Sequence, residues 1–468
     1  MWLAKLVRSQ AHYVPGKLRV AELFWDVPLD YNRPHEATIR VFGRAVRRRD
    51  PALDIENDLK PLPWFVYLQG GPGMSCSPPQ DIGWVQMVLD RGYQVLLLDQ
   101  RGTGLSTPIS AATLALQGAP AKQAEYLRNF RADNIVRDCE AIRQLFTAEY
   151  PQDKKKWSIL GQSFGGFCAV TYLSKFPEGL REVFTTGGLP PLRNAPDTVY
   201  AKTYEKVQER NLAYYSKFPE DVERVNKILR YLSDNRVELP NGVLTPARFQ
   251  SLGISFGMKG GLDSIHGIVK LDHMQQDATY LTMFYADIVL KAHNDLELFG
   301  FLNTPTLSTI DSATTFDNNI LYAVLHEAIY CQKTASKWSA DRLISNSPKF
   351  QINANGDPVF FTGEMIYKHM FESSYELSKV KEVADIIATF EDWPDLYDEE
   401  QLARNEVPVF AATFVEDMYV HYALATETAS KIKNCKQFVT NVMYHNAIRA
   451  NADEVIKQLF ALRDDTID

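Results

Sequence analysis

One short run of residues constrains this chain more than any other: a buried strand that passes through Gly-x-Ser-x-Gly into a helix. The short, mostly apolar stretch 157–160 predicts the strand, and the pattern at 167–176 predicts the helix, which ends before Pro177. The pentapeptide 161–165 lies between them, with Ser163 at its centre. Such a sharp turn forces the serine into a strained backbone conformation and leaves room only for glycine on either side. This context identifies Ser163 as a candidate nucleophile at a helix N-terminus.

Further apolar runs alternate with helical patterns before and after this turn, as in a parallel sheet whose strands are buried on both faces. Two alternating stretches near the N-terminus, 18–29 and 37–45, predict a hairpin. The chain therefore predicts an α/β fold, a mostly parallel doubly wound sheet with an antiparallel N-terminal edge. The predicted strands are 64–68, 95–98, 157–160 and 183–186, of which the first two are continuously apolar, and the helical patterns between them are 84–89 and 133–146.

The strand–helix rhythm stops near residue 190 and resumes at residue 407. The residues between carry long amphipathic patterns rich in Tyr and Phe, which predict a mainly helical insertion. A chain of 468 residues also exceeds the usual size of one domain. We expect a core formed by 1–192 and 404–468 and a large helical cap domain, 193–403, inserted before the last strands. The last segment contains two predicted strands, 408–414 and 437–440, and a closing helix, 450–462.

A nucleophilic serine needs a base, and the base needs an acid that orients it. Asp417 follows the predicted strand 408–414 and His445 follows the next strand, so both are expected on loops at the sheet edge that carries Ser163. Their separation of 28 positions, from 417 to 445, suffices for one helix and one strand. Glu416 adjoins Asp417, and either carboxylate could orient the histidine.

Two other histidines fit this chemistry less well. His421 lies four residues after Asp417, in what the pattern predicts to be the following helix, and this favours a structural role. The segment 326–330 resembles half of a zinc-protease helix, but Tyr330 stands where the second histidine is needed. We expect neither a metal site nor a cofactor.

An oxyanion hole needs two backbone N–H groups aimed at one point. One is expected from Phe164, the residue after the nucleophile. The other is expected from the glycine-rich loop 69–73, where Gly70 and Gly71 let the backbone approach a substrate closely. The segment 99–106 follows the next strand, and we expect it to support the nucleophile loop rather than to take part in the chemistry.

Composition limits the partners and the compartment. The net charge is −8, from 50 basic and 58 acidic residues without a basic stripe, so nucleic acid is not an expected partner. Five scattered cysteines without a Cys-x-x-Cys pair predict no disulfide framework and favour a reducing cytoplasm. Neither a signal peptide nor a membrane span is evident, so no membrane partner is expected.

Taken together, these segments resemble the proline iminopeptidases, which are serine peptidases of the α/β-hydrolase fold. The length and the large insertion resemble the longer of the two family subtypes. One departure is Gln69, which stands where the family usually has histidine; because the hole uses backbone groups, we expect this to alter loop packing more than mechanism. The segments that carry the resemblance are 70–73, 99–106, 161–166, 417–420 and 445–446.

The resemblance implies a Ser–His–Asp peptidase that releases proline from the N-terminus of a peptide. Ser163 would attack the prolyl carbonyl, and His445 would take its proton and pass it to the leaving amine. Asp417 would fix the imidazole tautomer. The N–H groups of Gly71 and Phe164 would hold the oxyanion, and water would then hydrolyse the prolyl-enzyme.

An aminopeptidase must also hold a cationic secondary amine close to the scissile bond, so a carboxylate must face the pocket from the cap. In the family this role falls to cap glutamates. The segment 325–330 resembles one that carries such a glutamate, which makes Glu327 the candidate. Tyr330, one turn later, would pack on the pyrrolidine ring. The expected partner is a peptide with a free N-terminal proline, and the sequence predicts no oligomeric state.

Two alternatives stay open from the sequence. Another α/β-hydrolase, an esterase or amidase for small acyl substrates, would use the same catalytic set, and only the cap carboxylates distinguish it. A non-catalytic binding protein that has kept the fold would carry the same sheet, although all three triad residue types stand at suitable positions.

Overall fold

Eleven strands lie in the part of the chain that the structure describes. The structure, a computed structural model, describes residues 4–49, 61–193, 195–267, 288–345 and 347–465. The strands are β1 (Lys5–Val14), β2 (Leu18–Pro28), β3 (Thr38–Arg48), β4 (Trp64–Leu68), β5 (Gln94–Asp99), β6 (Trp157–Gln162), β7 (Leu180–Thr186), β8 (Val237–Leu239), β9 (Gly242–Leu244), β10 (Val409–Phe414) and β11 (Cys435–Thr440).

Nine of these strands form one sheet in the order β1-β2-β3-β5-β4-β6-β7-β10-β11. Strands β1, β2 and β3 pair antiparallel, and β3 pairs antiparallel with β5. From β5 to β11 every neighbouring pair is parallel. The predicted fold class, a mostly parallel sheet with an antiparallel N-terminal edge, is confirmed.

The edge strand β1 was not predicted from the sequence. Its side chains are mostly exposed, and the sequence KLVRSQAHYV shows no apolar alternation. The strand is held by backbone pairing with β2, from Lys5 opposite Asp26 to Val14 opposite Leu18. Since it buries no apolar face, no hydrophobic period marks it.

Helices cover both faces of the sheet, which is why β4, β5 and β6 are buried along their whole length. Helices α1 and α20 pack on one face and α4 and α5 on the other. The helices are α1 (Gly83–Asp90), α2 (Ala111–Ala115), α3 (Pro120–Leu127), α4 (Ala132–Phe146), α5 (Phe164–Lys175), α6 (Pro196–Lys217), α7 (Asp221–Asp234), α8 (Pro246–Gln250), α9 (Gly261–His266), α10 (Ile288–Phe299), α11 (Thr304–Thr314), α12 (Ile320–Leu325), α13 (Ser339–Ile344), α14 (Met370–Ser373), α15 (Tyr375–Ser378), α16 (Lys381–Thr389), α17 (Glu399–Ala403), α18 (Tyr422–Lys431), α19 (Ala447–Ala450) and α20 (Ala452–Arg463).

The sheet is interrupted in sequence between β7 and β10, where α6 to α17 and the small hairpin β8–β9 lie. Residues 194, 268–287 and 346 of the predicted cap segment, and 1–3, 50–60 and 466–468 of the predicted core segments, lie outside the described residues. Among the described helices, none has both the length and the apolar character needed to cross a membrane.

Helix α12 packs directly on the glycine-rich loop at the carboxyl end of β4. A Cβ atom on Gly73 would lie 2.4 Å from Asn319 Oδ1 and 3.1 Å from Tyr322 N, and Gly73 has a φ of +89°. Both the backbone conformation and the close approach therefore require glycine at this position. This contact brings residues 319–322 over the carboxyl edge of the sheet.

Candidate active site

Ser163 lies at the turn between β6 and α5 and has φ 55° and ψ −124°. This is the strained conformation that the motif predicts for a nucleophile. A Cβ atom on Gly161 would lie 2.4 Å from Gly165 O, and one on Gly165 would lie 1.9 Å from Leu68 O. Any side chain at these two positions would collide with backbone, so the turn can form only with glycine there.

Asp417 and His445 are hydrogen-bonded to each other at the ends of β10 and β11. His445 Nδ1 lies 2.7 Å from Asp417 Oδ2. The other carboxylate oxygen, Oδ1, accepts the N–H groups of Tyr419 at 2.8 Å and Val420 at 2.9 Å. The carboxylate is thus fixed by its own turn, and one oxygen is left to orient the imidazole.

Glu416, the alternative acid, points elsewhere. Its Oε2 lies 3.6 Å from Lys206 Nζ, and its side chain is about one-third exposed (33%). His421 precedes helix α18 instead of lying within it, and its pKa is lowered by burial. Among the described residues, the carboxylate that is hydrogen-bonded to His445 is that of Asp417.

The nucleophile turn and the histidine meet across the end of β7. Ser163 N donates to Thr186 O at 3.1 Å. A Cβ atom on the next residue, Gly187, would lie 3.0 Å from His445 Nδ1 and 3.2 Å from Asp417 Oδ2. Within the described residues, the Ser163 hydroxyl and the imidazole are not hydrogen-bonded. Catalytic hydrogen bonds are commonly long in free enzymes and shorten when substrate binds.

The electrostatic surroundings of His445 favour its protonated form. Burial lowers its pKa, but the charge and hydrogen bond of Asp417 oppose burial, and the net effect is a raised pKa. The charge of Glu364 acts in the same direction as Asp417, and the charge of Arg449 acts against both. The Tyr419 ring packs on the imidazole with ring centroids 4.6 Å apart. Asp417 and Tyr419 therefore both contact the imidazole of this candidate base.

The predicted oxyanion donors flank the nucleophile. Phe164 is the first residue of α5, so its N–H has no carbonyl within the helix to which it can donate. A Cβ atom on Gly70 would lie 3.0 Å from Ser163 Cβ, which brings the loop into contact with the nucleophile. The next residue is Gly71, with a φ of +123°.

The segment 99–106 supports a different loop from the one that we expected. Gln100 Nε2 donates to Gln69 O at 3.0 Å, and Asp99 accepts the N–H of Cys76 at 2.8 Å. Arg101 is fully buried and pairs with Asp138 at 2.6 Å. These contacts brace the predicted oxyanion loop, residues 69–73, and helix α4 rather than the turn at Ser163.

The carboxylate of Glu327 caps a helix. Helix α12 ends at Leu325, and Glu327 lies in the short 3-10 turn that follows, Glu327–Tyr330. Its Oε1 accepts the N–H of Ala340 at 2.9 Å and its Oε2 that of Ser339 at 3.2 Å, at the N-terminus of α13. Burial raises the pKa of Glu327, while these amides oppose the rise.

Tyr330 is buried among aromatic rings beside the catalytic edge. Its ring centroid lies 5.9 Å from that of Phe167 on α5 and 5.8 Å from that of Tyr200 on α6. Burial raises its pKa, and the charges of Glu364 and Asp417 add to the rise. The tyrosine therefore lies within electrostatic reach of both carboxylates.

Glu364 is a candidate functional residue that the sequence did not indicate. Tyr322 OH donates to its Oε1 at 2.8 Å, and His326 Nε2 lies 3.9 Å from its Oε2. Its side chain keeps an exposed fraction of 18%, and its charge acts on His445. Residues 354–366 have no regular secondary structure and follow no motif, so nothing in the sequence distinguishes this glutamate from others.

One group of possible metal ligands occurs among the described residues, formed by Glu220, Asp221 and His266. Arg224 lies 3.0 Å from Asp221 Oδ1 and 3.5 Å from Glu220 Oε1. His266 Nδ1 lies 2.8 Å from the second oxygen of Asp221. The carboxylates already have a cationic partner, so we assign no metal to this group.

Two surface cavities lie away from the catalytic residues. One, of about 440 Å³, includes Glu178, Arg181 and Pro408, near the amino ends of β7 and β10. The other, of about 640 Å³, includes Lys175 and Asp398. Neither cavity is lined by Ser163, Asp417 or His445, which lie at the carboxyl edge of the sheet.

Residues 63–368 match the family model described as alpha/beta hydrolase fold. A proline iminopeptidase of Aspergillus aculeatus is 46% identical over 99% of this chain and 98% of its own length. A proline iminopeptidase of Aeromonas sobria is 40% identical over 98% of this chain and 99% of its own. A solved proline iminopeptidase structure from Mycobacterium smegmatis covers 94% of this chain and 97% of that one at 12% identity, with a TM-score of 0.44. The family assignment depends on the family model and the first two relatives.

Proposed function

This chain belongs to the proline iminopeptidases of the α/β-hydrolase fold, and we propose that it releases N-terminal proline from peptides by acyl transfer through Ser163. The observation that carries the proposal is the Asp417–His445 hydrogen bond of 2.7 Å, at the sheet edge where the strained serine also lies. The order serine, acid, histidine along the chain is that of α/β-hydrolases.

The reaction proceeds in two halves. Ser163 Oγ attacks the prolyl carbonyl while His445 takes its proton, and Asp417 stabilises the imidazolium that forms. The N–H groups of Phe164 and Gly71 hold the oxyanion, and His445 gives the proton to the departing amine. Water, activated by His445, then hydrolyses the ester of proline with Ser163 and restores the free enzyme.

Recognition of a free amine requires a carboxylate beside the reacting carbonyl, and we assign this role to Glu364. Its charge reaches His445, and its oxygens can accept further hydrogen bonds besides the one from Tyr322. Glu327 is the other candidate. Both of its oxygens accept helix N–H groups, which supports a structural role for it. A charge-assisted hydrogen bond in a site sheltered from water orients the substrate strongly.

The aromatic cluster beside Glu364 suits a flat, apolar pyrrolidine ring. Tyr330 lies between Phe167 and Tyr200, and its ring would pack on the proline side chain. Gly70, which touches the nucleophile turn, would let the substrate approach the oxyanion loop. These contacts support a pose in which the N-terminal proline fills this pocket and its carbonyl lies at Ser163.

The wider organisation follows from the same proposal. Residues 193–403 act as a cap domain over the catalytic edge formed by 1–192 and 404–468. The five cysteines are free, four of them buried, which supports a cytoplasmic location because such thiols persist under reducing conditions. The expected partner is a peptide that begins with proline.

An esterase or amidase is the second candidate, since acyl transfer to any small substrate uses the same serine, histidine and aspartate. The test compares release of 7-amino-4-methylcoumarin (AMC) from free-amine Pro-AMC and from N-acetyl-Pro-AMC, with p-nitrophenyl acetate as a neutral ester. We expect Pro-AMC to be far the best amide. Turnover of the acetylated amide at a similar rate, or of the ester alone, would overturn the aminopeptidase proposal.

A further inference from the structure

Arg449 touches two functional loops with one guanidinium nitrogen. It lies on α19, four residues after His445, and is half-buried. Its Nη2 lies 3.2 Å from Gln69 Oε1 and 3.4 Å from Gln162 Oε1. Gln69 begins the oxyanion loop and Gln162 immediately precedes Ser163. The arginine therefore connects the loop after β4, the turn after β6 and the segment that follows the catalytic histidine.

The Gln69 amide is the centre of these contacts. Its Oε1 accepts Tyr67 OH at 2.9 Å, Gly70 N at 2.9 Å and the Arg449 guanidinium at 3.2 Å, while its Nε2 donates to Ser75 O at 3.3 Å. The three donors share the two lone pairs of one carbonyl oxygen. The backbone of the oxyanion loop is thus held from a buried side chain, and one of the three donors is a cation.

Among the described residues, Arg449 forms no ion pair with a carboxylate, and the acceptors of its hydrogen bonds to Gln69 and Gln162 are neutral amides. A charged donor makes a stronger hydrogen bond than a neutral one. The charge also reaches the catalytic base. Burial lowers the pKa of His445, the Asp417 and Glu364 carboxylates raise it, and Arg449 opposes the two carboxylates.

We propose that Arg449 is a positioning residue of the reaction, which holds the oxyanion loop through Gln69 and the nucleophile turn through Gln162 in register with the histidine loop. The proposal rests on the proposed catalytic set. The hydrogen bonds of Arg449 run to the side chains of Gln69 and Gln162, so the arginine acts on the two loops through these residues.

The consequence concerns the transition state. Oxyanion donors stabilise charge that develops during attack, and small displacements of such groups cost rate more than they cost ground-state binding. Loss of the Arg449 contact should therefore lower kcat and leave KM nearly unchanged. It should also remove a positive charge from the surroundings of the imidazolium, which moves the pKa of His445 upward.

The test uses Arg449→Met, which keeps the length of the side chain, and Arg449→Lys, which keeps the charge but loses the planar donors. The assay is p-nitrophenyl acetate hydrolysis beside Pro-AMC, because the ester contains no titrating amine. We expect kcat to fall about tenfold in Arg449→Met, with KM changed less than about twofold. The acid limb of kcat/KM should move to higher pH in Arg449→Met and stay in place in Arg449→Lys.

A double-mutant cycle with Gln69→Met tests whether Arg449 acts through Gln69. The combined loss should be clearly smaller than the product of the two single losses, because both variants break the same contact. Arg91→Met is the matched control: Arg91 is exposed at the end of α1 on the same face, where its Nη1 donates to Met87 O.

Unchanged kcat in Arg449→Met, an equal loss in Arg91→Met, or multiplicative losses in the cycle would each overturn the proposal. If Arg449→Met does not fold, a normal kcat in Arg449→Lys contradicts the positioning role and a reduced one with an unmoved acid limb supports it. Failure of the proposed function is distinguishable, since the wild-type enzyme would then hydrolyse the ester but not Pro-AMC. The Arg449 effect on ester hydrolysis would still be measured.

Discussion

The proposed catalytic edge of the sheet and the proposed cap hold their carboxylates by different means. Asp417 is fixed by N–H groups two and three residues further along its own turn. In the cap, Glu327 accepts N–H groups twelve and thirteen residues away, and the donor to Glu364 is 42 residues away. A carboxylate oriented by its own turn can be identified from a motif, whereas one oriented by distant partners depends on the tertiary fold.

The largest effect should come from the nucleophile. We expect Ser163→Ala to lower kcat for Pro-AMC by about 10⁵-fold or more, because the covalent route is lost. Ser163 should also be the residue labelled by a fluorophosphonate, as intact mass and peptide mapping would reveal. Ser174→Ala, at the far end of the same helix, is the control and should keep both activity and labelling. Labelling that survives Ser163→Ala would exclude this serine as the nucleophile.

The next effect separates two neighbouring carboxylates. Asp417→Asn should lower kcat by about 10⁴-fold, because the amide no longer holds the correct imidazole tautomer. Glu416→Gln should change kcat little, since that side chain faces Lys206. Steady-state kinetics on both variants decides which acid orients His445. Comparable losses in the two would contradict the assignment to Asp417.

Replacement of Glu327, whose carboxylate accepts N–H groups at the N-terminus of α13, should affect stability. Glu327→Gln offers only one acceptor oxygen to the N–H groups of Ser339 and Ala340, so one buried donor loses its partner. We expect the free energy of unfolding to fall by about 1–3 kcal/mol, measured as a lower urea midpoint. Glu400→Gln is the control, because Glu400 is exposed on α17. An unchanged midpoint in Glu327→Gln would argue against the structural role.

The smallest effect is a shift of the pH profile. The base must be neutral to accept a proton, and the pKa of His445 is raised, so activity should decline on acidification from a pH above the ordinary histidine value of 6.5. Glu364→Gln removes a negative charge that favours the imidazolium, so the acid limb of ester hydrolysis should move to lower pH. An upward shift would contradict the placement of Glu364 beside the base.

The same division between local and distant determinants explains what the sequence could predict. The elbow at Ser163, the strands before it and the Asp417–His445 order depend on short-range patterns and on chain order, and the sequence predicted them. Strand β1, the break of α12 at Leu325 and the position of Glu364 depend on pairing or packing with remote segments. No hydrophobic period or spacing marks these features, so they could be found only in the fold.

The identity of the carboxylate that receives the substrate amine is tested most directly by the ratio of kcat/KM for Pro-AMC to kcat/KM for p-nitrophenyl acetate. Glu364→Gln should lower this ratio by about 100-fold, because the hydrogen bond to a charged amine is lost while acyl transfer to the ester remains. Glu327→Gln should leave the ratio close to that of the wild-type enzyme. A ratio that falls in Glu327→Gln and stays unchanged in Glu364→Gln would contradict this account of substrate recognition.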